Sequence, residues 1–168
     1  DDQGKLLRID LETRKVEKLY TDDVSELSSV QFSPKDGQAY LTDYKSGRVL
    51  RWDPGSGETR AVFSGTVDGQ KINADDIEFD RDGNMFITDE RGTIADPTGL
   101  VVRLGADTYQ ATIIYRGLAG GNGIAFSPDY TRLWVTDWRR AQIMSLVLNP
   151  ERTHVDQATV AVHVQAGE

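Results

Sequence analysis

Short stretches of alternating apolar and polar residues recur along the chain, and each leads into a turn rich in Asp, Gly or Pro. The clearest stretch runs from Ile77 to Phe79, passes through a turn at Asp82 and Gly83, and continues as residues 85–87. Alternation with a period of two is typical of a half-buried β-strand, and Asp-Gly between two such stretches indicates a β-hairpin. No segment shows helical periodicity. The pattern therefore predicts an all-β protein.

The same hairpin pattern occurs three times at a nearly constant spacing. Its phenylalanine recurs at intervals of 47 residues, as Phe32, Phe79 and Phe126. A Thr-Asp pair follows each hairpin, with its aspartate at positions 43, 89 and 137. A period of about 40–50 residues is characteristic of propellers and solenoids, in which each repeat is one supersecondary unit. Because these units contain only strands and turns, we predict the four-stranded blades of a β-propeller.

The repeat divides the chain into one partial unit and three complete ones. Residues 1–27 are expected to supply the outer strands of one blade, and residues 28–74, 75–121 and 122–168 to form successive blades of a single domain. The 168 residues hold about three and a half blades, whereas closed propellers have roughly 4–8. We therefore expect a partial propeller that is incomplete at both ends and belongs to a longer chain. The alternative is a half-ring that closes as a homodimer.

Two local predictions concern the hairpin turns and the core. The turn at Asp36 and Gly37 is expected to be type I′, because Gly accepts the positive φ that this turn requires. The aromatic residues at matching positions of the second strands, Tyr40, Phe86 and Trp134, are expected to point inward and to belong to the core.

Composition narrows the class of function without identifying it. The net charge of −8 argues against nucleic-acid binding, which relies on basic side chains to neutralise phosphates. No stretch approaches the roughly 20 apolar residues of a membrane span, so no membrane association is expected. The chain has no cysteine, which excludes disulfides and leaves the compartment open. A cytoplasmic location is favoured, since no signal segment is visible.

Polar side chains at the start of the inner strands mark one face of the predicted propeller. Ser28, Asp75 and Asn122 occupy equivalent positions in successive repeats, so we expect them to converge at the mouth of the central channel. Carboxylate and amide oxygens, which Asp75 and Asn122 supply, are ligands that a hard cation such as Ca²⁺ takes. The alternative is that both side chains cap their own strands through local hydrogen bonds.

The remaining candidates lie in turns and loops. A Thr-Asp pair that recurs in every repeat is expected to build the repeat rather than to catalyse a reaction. Arg91 and Trp138, in the loops after the second and third Thr-Asp pairs, are interpreted either as substrate-binding residues or as solvated loop residues. The chain has no nucleophilic Ser elbow, phosphate-binding loop or zinc-type His cluster.

The motif Asp75–Asp89 resembles one in the regucalcin/gluconolactonase family, also called the senescence-marker-protein family. The segment Asn122–Asp137 is similar to the next motif of that family, and the loop at residues 88–99 is most similar to its bacterial drug-responsive lactonase branch. The resemblance implies a six-bladed propeller that hydrolyses a small-molecule lactone. It also implies a divalent metal at the top of the channel, with Ca²⁺ favoured and Zn²⁺ or Mg²⁺ as alternatives.

The resemblance further implies roles for single residues. Asn122 matches an Asn that holds the metal, and Asp75 and Asp76 match a pair that contacts metal or substrate or serves as the base. The family's metal-binding Glu of an early blade and Asp of a later blade have no counterpart here, and are expected before residue 1 and after residue 168. In the implied mechanism the metal polarises the lactone carbonyl and binds a water. Asp75 or Asp76 takes a proton from that water, and Arg91 or Trp138 lines the substrate pocket.

Two other functions fit a propeller of this kind. One is a non-catalytic propeller that binds a protein or a small ligand. The other is a strictosidine-synthase-like propeller, whose catalytic acid would lie in a blade outside this sequence. A metal bound near Asn122 would favour the hydrolase over the binding module.

Overall fold

The computed structural model describes residues 4–164, which form short β-strands joined by turns. The one helical element in this range is a 3₁₀ turn, Trp138–Arg140. The strands are β1 Lys5–Ile9, β2 Val16–Thr21, β3 Leu27–Phe32, β4 Ala39–Asp43, β5 Arg48–Trp52, β6 Thr59–Phe63, β7 Thr66–Val67, β8 Gln70–Lys71, β9 Ala74–Phe79, β10 Met85–Asp89, β11 Gly99–Leu104, β12 Ala111–Leu118, β13 Gly121–Phe126, β14 Arg132–Asp137, β15 Gln142–Leu148 and β16 Val155–His163.

The all-β prediction is thereby confirmed. The predicted domain limits at residues 1 and 168 lie outside the described residues. Within residues 4–164 no helix has the length and apolar character needed to cross a bilayer.

Three four-stranded antiparallel sheets form the body of the structure. The first contains β3–β6, the second β9–β12 and the third β13–β16, and in each the strands follow one another in chain order. The first strands of the three sheets, β3, β9 and β13, contact one another in succession, whereas the fourth strands lie at the outer edges. This radial arrangement is that of propeller blades.

Two smaller pieces complete the architecture. β1 and β2 pair only with each other and form a ribbon, whose Leu6, Leu19 and Tyr20 pack against the apolar side chains of the first sheet. β7 and β8 form a short hairpin between the first and second sheets. The ribbon therefore covers part of the face of the first sheet that points away from the second sheet.

Aromatic pairs join neighbouring sheets. Tyr40 of the first sheet meets Phe79 of the second edge-on, with ring centroids 5.4 Å apart, and Phe86 of the second meets Phe126 of the third at 4.9 Å. Edge-to-face pairs of this kind are favourable beyond the area that they bury. Tyr40 and Phe86 are 2% and 0% exposed, so their predicted core positions are confirmed.

The core prediction for Trp134 is wrong. This residue occupies the position on β14 that Phe86 occupies on β10, yet it is 38% exposed. The equivalent position in each earlier sheet faces the sheet that comes next along the chain, and residues 4–164 contain no sheet beyond the third. Phe32, at the opposite end of the arc, is 67% exposed for the corresponding reason.

The turn at Asp36 and Gly37 is not the predicted type I′. Type I′ requires a positive φ at both central residues, and of these two only Gly37 has one, at 68°. The Gly37 N–H donates to the Ser33 carbonyl at 2.9 Å, which closes a longer loop between β3 and β4. Pro34 accounts for the difference, because its ring fixes φ near −65° and favours a right-handed turn that Gly37 then ends.

Candidate active site

Three of the predicted site residues, Asp75, Asp76 and Asn122, lie on the first strands of the second and third sheets. Asp75 lies on β9, and the Ser28 hydroxyl of β3 donates a hydrogen bond to its Oδ1 at 2.5 Å. The Asp75 carbonyl accepts a second hydrogen bond from Thr42 Oγ1 of the first sheet at 2.6 Å. Asp75 is therefore held from the neighbouring sheet through both its side chain and its backbone.

The environment of Asp75 makes its carboxyl group more basic than an exposed one. The side chain is half-buried. Burial raises the pKa of Asp75, the hydrogen bond from Ser28 lowers it, and the nearby charges of Glu90 and Asp76 raise it again, with a net upward shift. A carboxylate whose pKa moves upward in a pocket is a candidate for proton transfer.

Asp76, the next residue, connects three strands. Its Oδ1 accepts hydrogen bonds from Ser29 Oγ of β3 at 2.6 Å and from the Ile77 N–H at 2.9 Å. Its Oδ2 accepts the Ile124 N–H of β13 at 3.0 Å. Both oxygens thus bind the first strands of the sheets to one another, which gives this carboxylate a structural role.

Asn122 lies at the start of β13 and its side chain is exposed. Its Oδ1 accepts the N–H of Gly123 at 3.0 Å, and its backbone carbonyl accepts the hydroxyl of Thr88 at 2.5 Å. The local hydrogen bond is of the capping type that the sequence left as an alternative. The role of Asn122 as a metal ligand stays a prediction.

The repeated Thr-Asp pairs have the structural role that the sequence predicts. Their aspartates are fully buried, each accepts a backbone N–H from the segment that leads into its sheet, and each pairs with an arginine. The N–H donors are Glu26, Asn73 and Ala119, and the ion pairs are Asp43 with Arg48, Asp89 with Arg91, and Asp137 with Arg140, at 2.8, 2.8 and 3.1 Å. The guanidinium of Arg91 is therefore directed back at Asp89.

Glu90 is a member of the site to which the sequence assigned no role. Its Oε1 accepts the indole N–H of Trp138 at 2.9 Å, and Arg139 lies 3.7 Å from the same oxygen. On its other side is Tyr44. Burial raises the pKa of the Tyr44 phenol, and of its two hydrogen-bonding neighbours Asn73 lowers that pKa and Glu90 raises it. Its place in the repeat could have identified it, because Tyr44, Glu90 and Trp138 each directly follow a Thr-Asp pair.

A pocket of about 340 Å³ opens beside these residues. Its polar lining consists of three carboxyl groups, one alcohol and one phenol. Leu27 contributes the apolar part. The polar residues are Glu26, Ser28, Tyr44, Asp75 and Glu90. Of the five residues assigned to the site from sequence, Asp75 lines this pocket, whereas Asp76, Arg91, Asn122 and Trp138 do not.

The residues present do not complete a metal site by themselves. In the described part of the chain no group of three or more His, Cys, Asp or Glu side chains could hold a metal ion. Asp75 and Asn122 are oxygen donors of the kind that Ca²⁺ takes, but such a cation requires about six to eight ligands. The remaining ligands would have to come from elsewhere.

The family comparison decides which class of propeller this is. Residues 2–168 match the family described as the SMP-30/Gluconolactonase/LRE-like region. The chain belongs to this family. The resemblance drawn from the motifs at Asp75–Asp89 and Asn122–Asp137 is thereby confirmed.

Relatives in the SMP-30/gluconolactonase family include bacterial lactonases. Lactonase drp35 of Staphylococcus haemolyticus (strain JCSC1435) is 29% identical over 138 residues, which cover 80% of this chain and 42% of the relative. Lactonase drp35 of Staphylococcus aureus (strain MW2) is 26% identical over 163 residues, which cover 89% of this chain and 46% of the relative. The chain thus matches less than half the length of these proteins.

Solved structures confirm the propeller fold. XC5397, a gluconolactonase from Xanthomonas campestris, superposes with a TM-score of 0.79 at 21% identity, over 94% of this chain and 55% of that one. A putative gluconolactonase superposes with 0.71 at 20%, over 88% and 52%. A structure of a nidogen/laminin complex gives 0.71 at 19%, over 95% and 58%. At these identities the likeness shows the fold alone, and the chain corresponds to a partial propeller.

Proposed function

We propose that this protein hydrolyses lactones at the rim where β3, β9 and β13 begin. The match of residues 2–168 to the SMP-30/gluconolactonase family carries the proposal. The names of its relatives, lactonase drp35 and a gluconolactonase, support a cyclic ester as the small-molecule substrate. The polar pocket beside Asp75 supplies a place for such a molecule.

Asp75 is the residue to which we assign the role of general base. Its carboxyl group lines the pocket, is oriented by Ser28, and has an upward-shifted pKa. A base with these properties would take the proton from the water that attacks the lactone carbonyl. General-base catalysis of this kind typically accelerates a reaction by roughly 10²–10⁴-fold. Asp76 is less suited, because its two oxygens already accept three hydrogen bonds.

A divalent cation, most simply Ca²⁺, would be held in part by Asn122. Asp75 is the other candidate ligand, a role that would exclude it from acting as the base. When bound, such an ion stabilises the negative charge that develops on the lactone oxygen. The outer rim of the site would be formed by Trp138, whose ring is half exposed. Arg91 would reach a substrate only by leaving its ion pair with Asp89.

A non-catalytic binding role is the second candidate. The nidogen/laminin structure has the same TM-score, 0.71, as one gluconolactonase. The same fold therefore also occurs in a protein complex, which favours a binding role. It predicts that the chain binds a partner and turns over no lactone.

Hydrolysis of glucono-δ-lactone, followed as acid release at constant pH, tests the proposal. We expect turnover above the spontaneous rate, loss of turnover on chelation, and recovery with Ca²⁺. Asn122→Ala should abolish the Ca²⁺-dependent part, whereas Asn149→Ala, which removes an amide in a distant turn of the third sheet, should leave it unchanged. Unaltered turnover in Asn122→Ala would refute the metal assignment, and no turnover by the complete protein, with the rest of the propeller present, would refute the hydrolase.

A further inference from the structure

Three residues at equivalent positions of the three sheets form one row along the rim. The three are Tyr44, Glu90 and Trp138. Each directly follows the buried Asp of a Thr-Asp pair, so each lies at the same end of the second strand of its sheet. Glu90 is the central member, with Tyr44 on one side and Trp138 on the other. The row therefore extends across all three sheets.

The contacts on the Trp138 side are specific. The Trp138 indole N–H donates to Glu90 Oε1 at 2.9 Å, and Arg139 Nη1 donates to the Glu90 carbonyl at 3.0 Å. The Arg139 guanidinium also lies 4.4 Å from the centroid of the Trp138 ring. Gly120 lies below them, and a Cβ at that position would come within 2.6 Å of Trp138 Nε1. These contacts fix the position of the indole ring, and Glu90 accepts its N–H.

The contacts on the other side connect this row to the pocket. Glu90 and Tyr44 line the pocket together with Asp75, while Trp138 does not. The Glu90 side chain is 16% exposed, its Oε1 accepts the Trp138 N–H, and Arg139 lies 3.7 Å from the same oxygen. A carboxylate that already accepts one hydrogen bond and faces a guanidinium is well placed to orient its neighbours.

We infer that Glu90 is a positioning residue for the substrate, which holds the Tyr44 phenol against the pocket and the Trp138 ring at its outer rim. This inference rests on the proposed lactonase function and deepens it. Glu90 lines the pocket with Asp75 but has no hydrogen bond to it, and its carboxylate contacts Trp138 instead. Its removal should therefore weaken substrate binding more than it slows the chemical step.

Four variants of the full chain test the inference by lactone kinetics and by the indole N–H resonance of Trp138. Glu90→Ala should shift that resonance and raise KM for glucono-δ-lactone roughly tenfold, with kcat within about threefold of the parent. Glu90→Gln keeps an oxygen acceptor and should restore both values to within about threefold. Trp138→Phe removes the N–H donor and should also raise KM. Asp96→Ala, in the same loop and exposed, is the control and should change neither.

The outcomes separate the inference from the function on which it rests. A complete protein that hydrolyses no lactone refutes the lactonase proposal. An active parent whose Glu90→Ala variant keeps the same KM and the same Trp138 resonance refutes the positioning role. The positioning role is also refuted if the parent is active and Glu90→Gln is as impaired as Glu90→Ala. The hydrogen bond to Trp138 would then not explain the effect of Glu90.

Discussion

The second and third sheets carry matching residues at matching positions, but they differ in what covers them. Phe86 on β10 is fully buried against Phe126 of the third sheet, whereas Trp134 on β14 is 38% exposed. The fourth strands differ in the same way, since β12 buries Ile114 and Leu118 while every residue of β16 after Val155 is exposed. The repeat in the sequence therefore fixes which way a side chain faces, and the neighbouring sheet decides whether it is buried.

The largest effect should come from removing the buried member of the pair. Phe86→Ala should lower the free energy of unfolding by about 3–5 kcal/mol, because it deletes an aromatic ring from a closed layer. Trp134→Ala should cost less than about 1 kcal/mol, since the ring is 38% exposed and the Arg132 guanidinium lies over it at 5.6 Å from the centroid. Urea unfolding of both variants measures the difference. A loss for Trp134→Ala as large as that for Phe86→Ala would show that something covers the third sheet in solution.

A slightly smaller effect should come from the polar connection between the second and third sheets. Arg152, in the turn before β16, donates to Asp80 Oδ2 at 2.8 Å, and Asp80 is fully buried. Arg152→Ala leaves that carboxylate without its cation and should cost about 3 kcal/mol. Asp82 also pairs with Arg152 but is exposed, so Asp82→Ala should cost under about 1 kcal/mol.

Chemical denaturation of the two variants provides the comparison. Equal losses for Arg152→Ala and Asp82→Ala would contradict the view that burial of Asp80 makes this ion pair matter. That result would also mean that apolar contacts alone attach the third sheet to the second.

The smallest effect should be local, at the β1–β2 ribbon. Burial raises the pKa of Asp22, but hydrogen bonds from Tyr20, Ser25 and Val24 outweigh it and lower the pKa from 3.8 to about 2. A lowered pKa means that the stabilisation is present above pH 4 and is lost as the pH falls through 2. Amide exchange in β1 and β2 should accelerate between pH 4 and 2, relative to β9 and β10. Asp22→Asn should abolish this difference, and a ribbon as protected as β9 throughout would contradict the assignment.

The parts of this structure that depend on the repeat could be predicted from the sequence. The strand pattern, the burial of Tyr40 and Phe86, and the structural role of the Thr-Asp aspartates follow from residues that recur at intervals of 46 to 48 positions. The exposure of Trp134 could not be predicted in this way, because it depends on a neighbour rather than on the residue itself.

The candidate site was only partly predictable for a related reason. Asp75 was found because it begins an inner strand beside Ser28, its equivalent one repeat earlier. The contact between Glu90 and Trp138 depends on how far successive sheets are rotated about the axis, which a sequence period does not specify. The type I′ prediction failed because Pro34 changed the turn, a local effect that outweighed the Asp-Gly pattern.

The central claim is that Asp75 acts on the substrate while Asp76 holds the strands together, and one paired measurement tests it. The rate of lactone hydrolysis and the melting temperature should be determined for Asp75→Asn and Asp76→Ala. We predict that Asp75→Asn lowers kcat by about 10²-fold or more with little change in Tm. Asp76→Ala should lower the free energy of unfolding by about 1–3 kcal/mol, because it leaves the Ile124 N–H without a partner. An Asp75→Asn variant with the full parental rate would contradict the account.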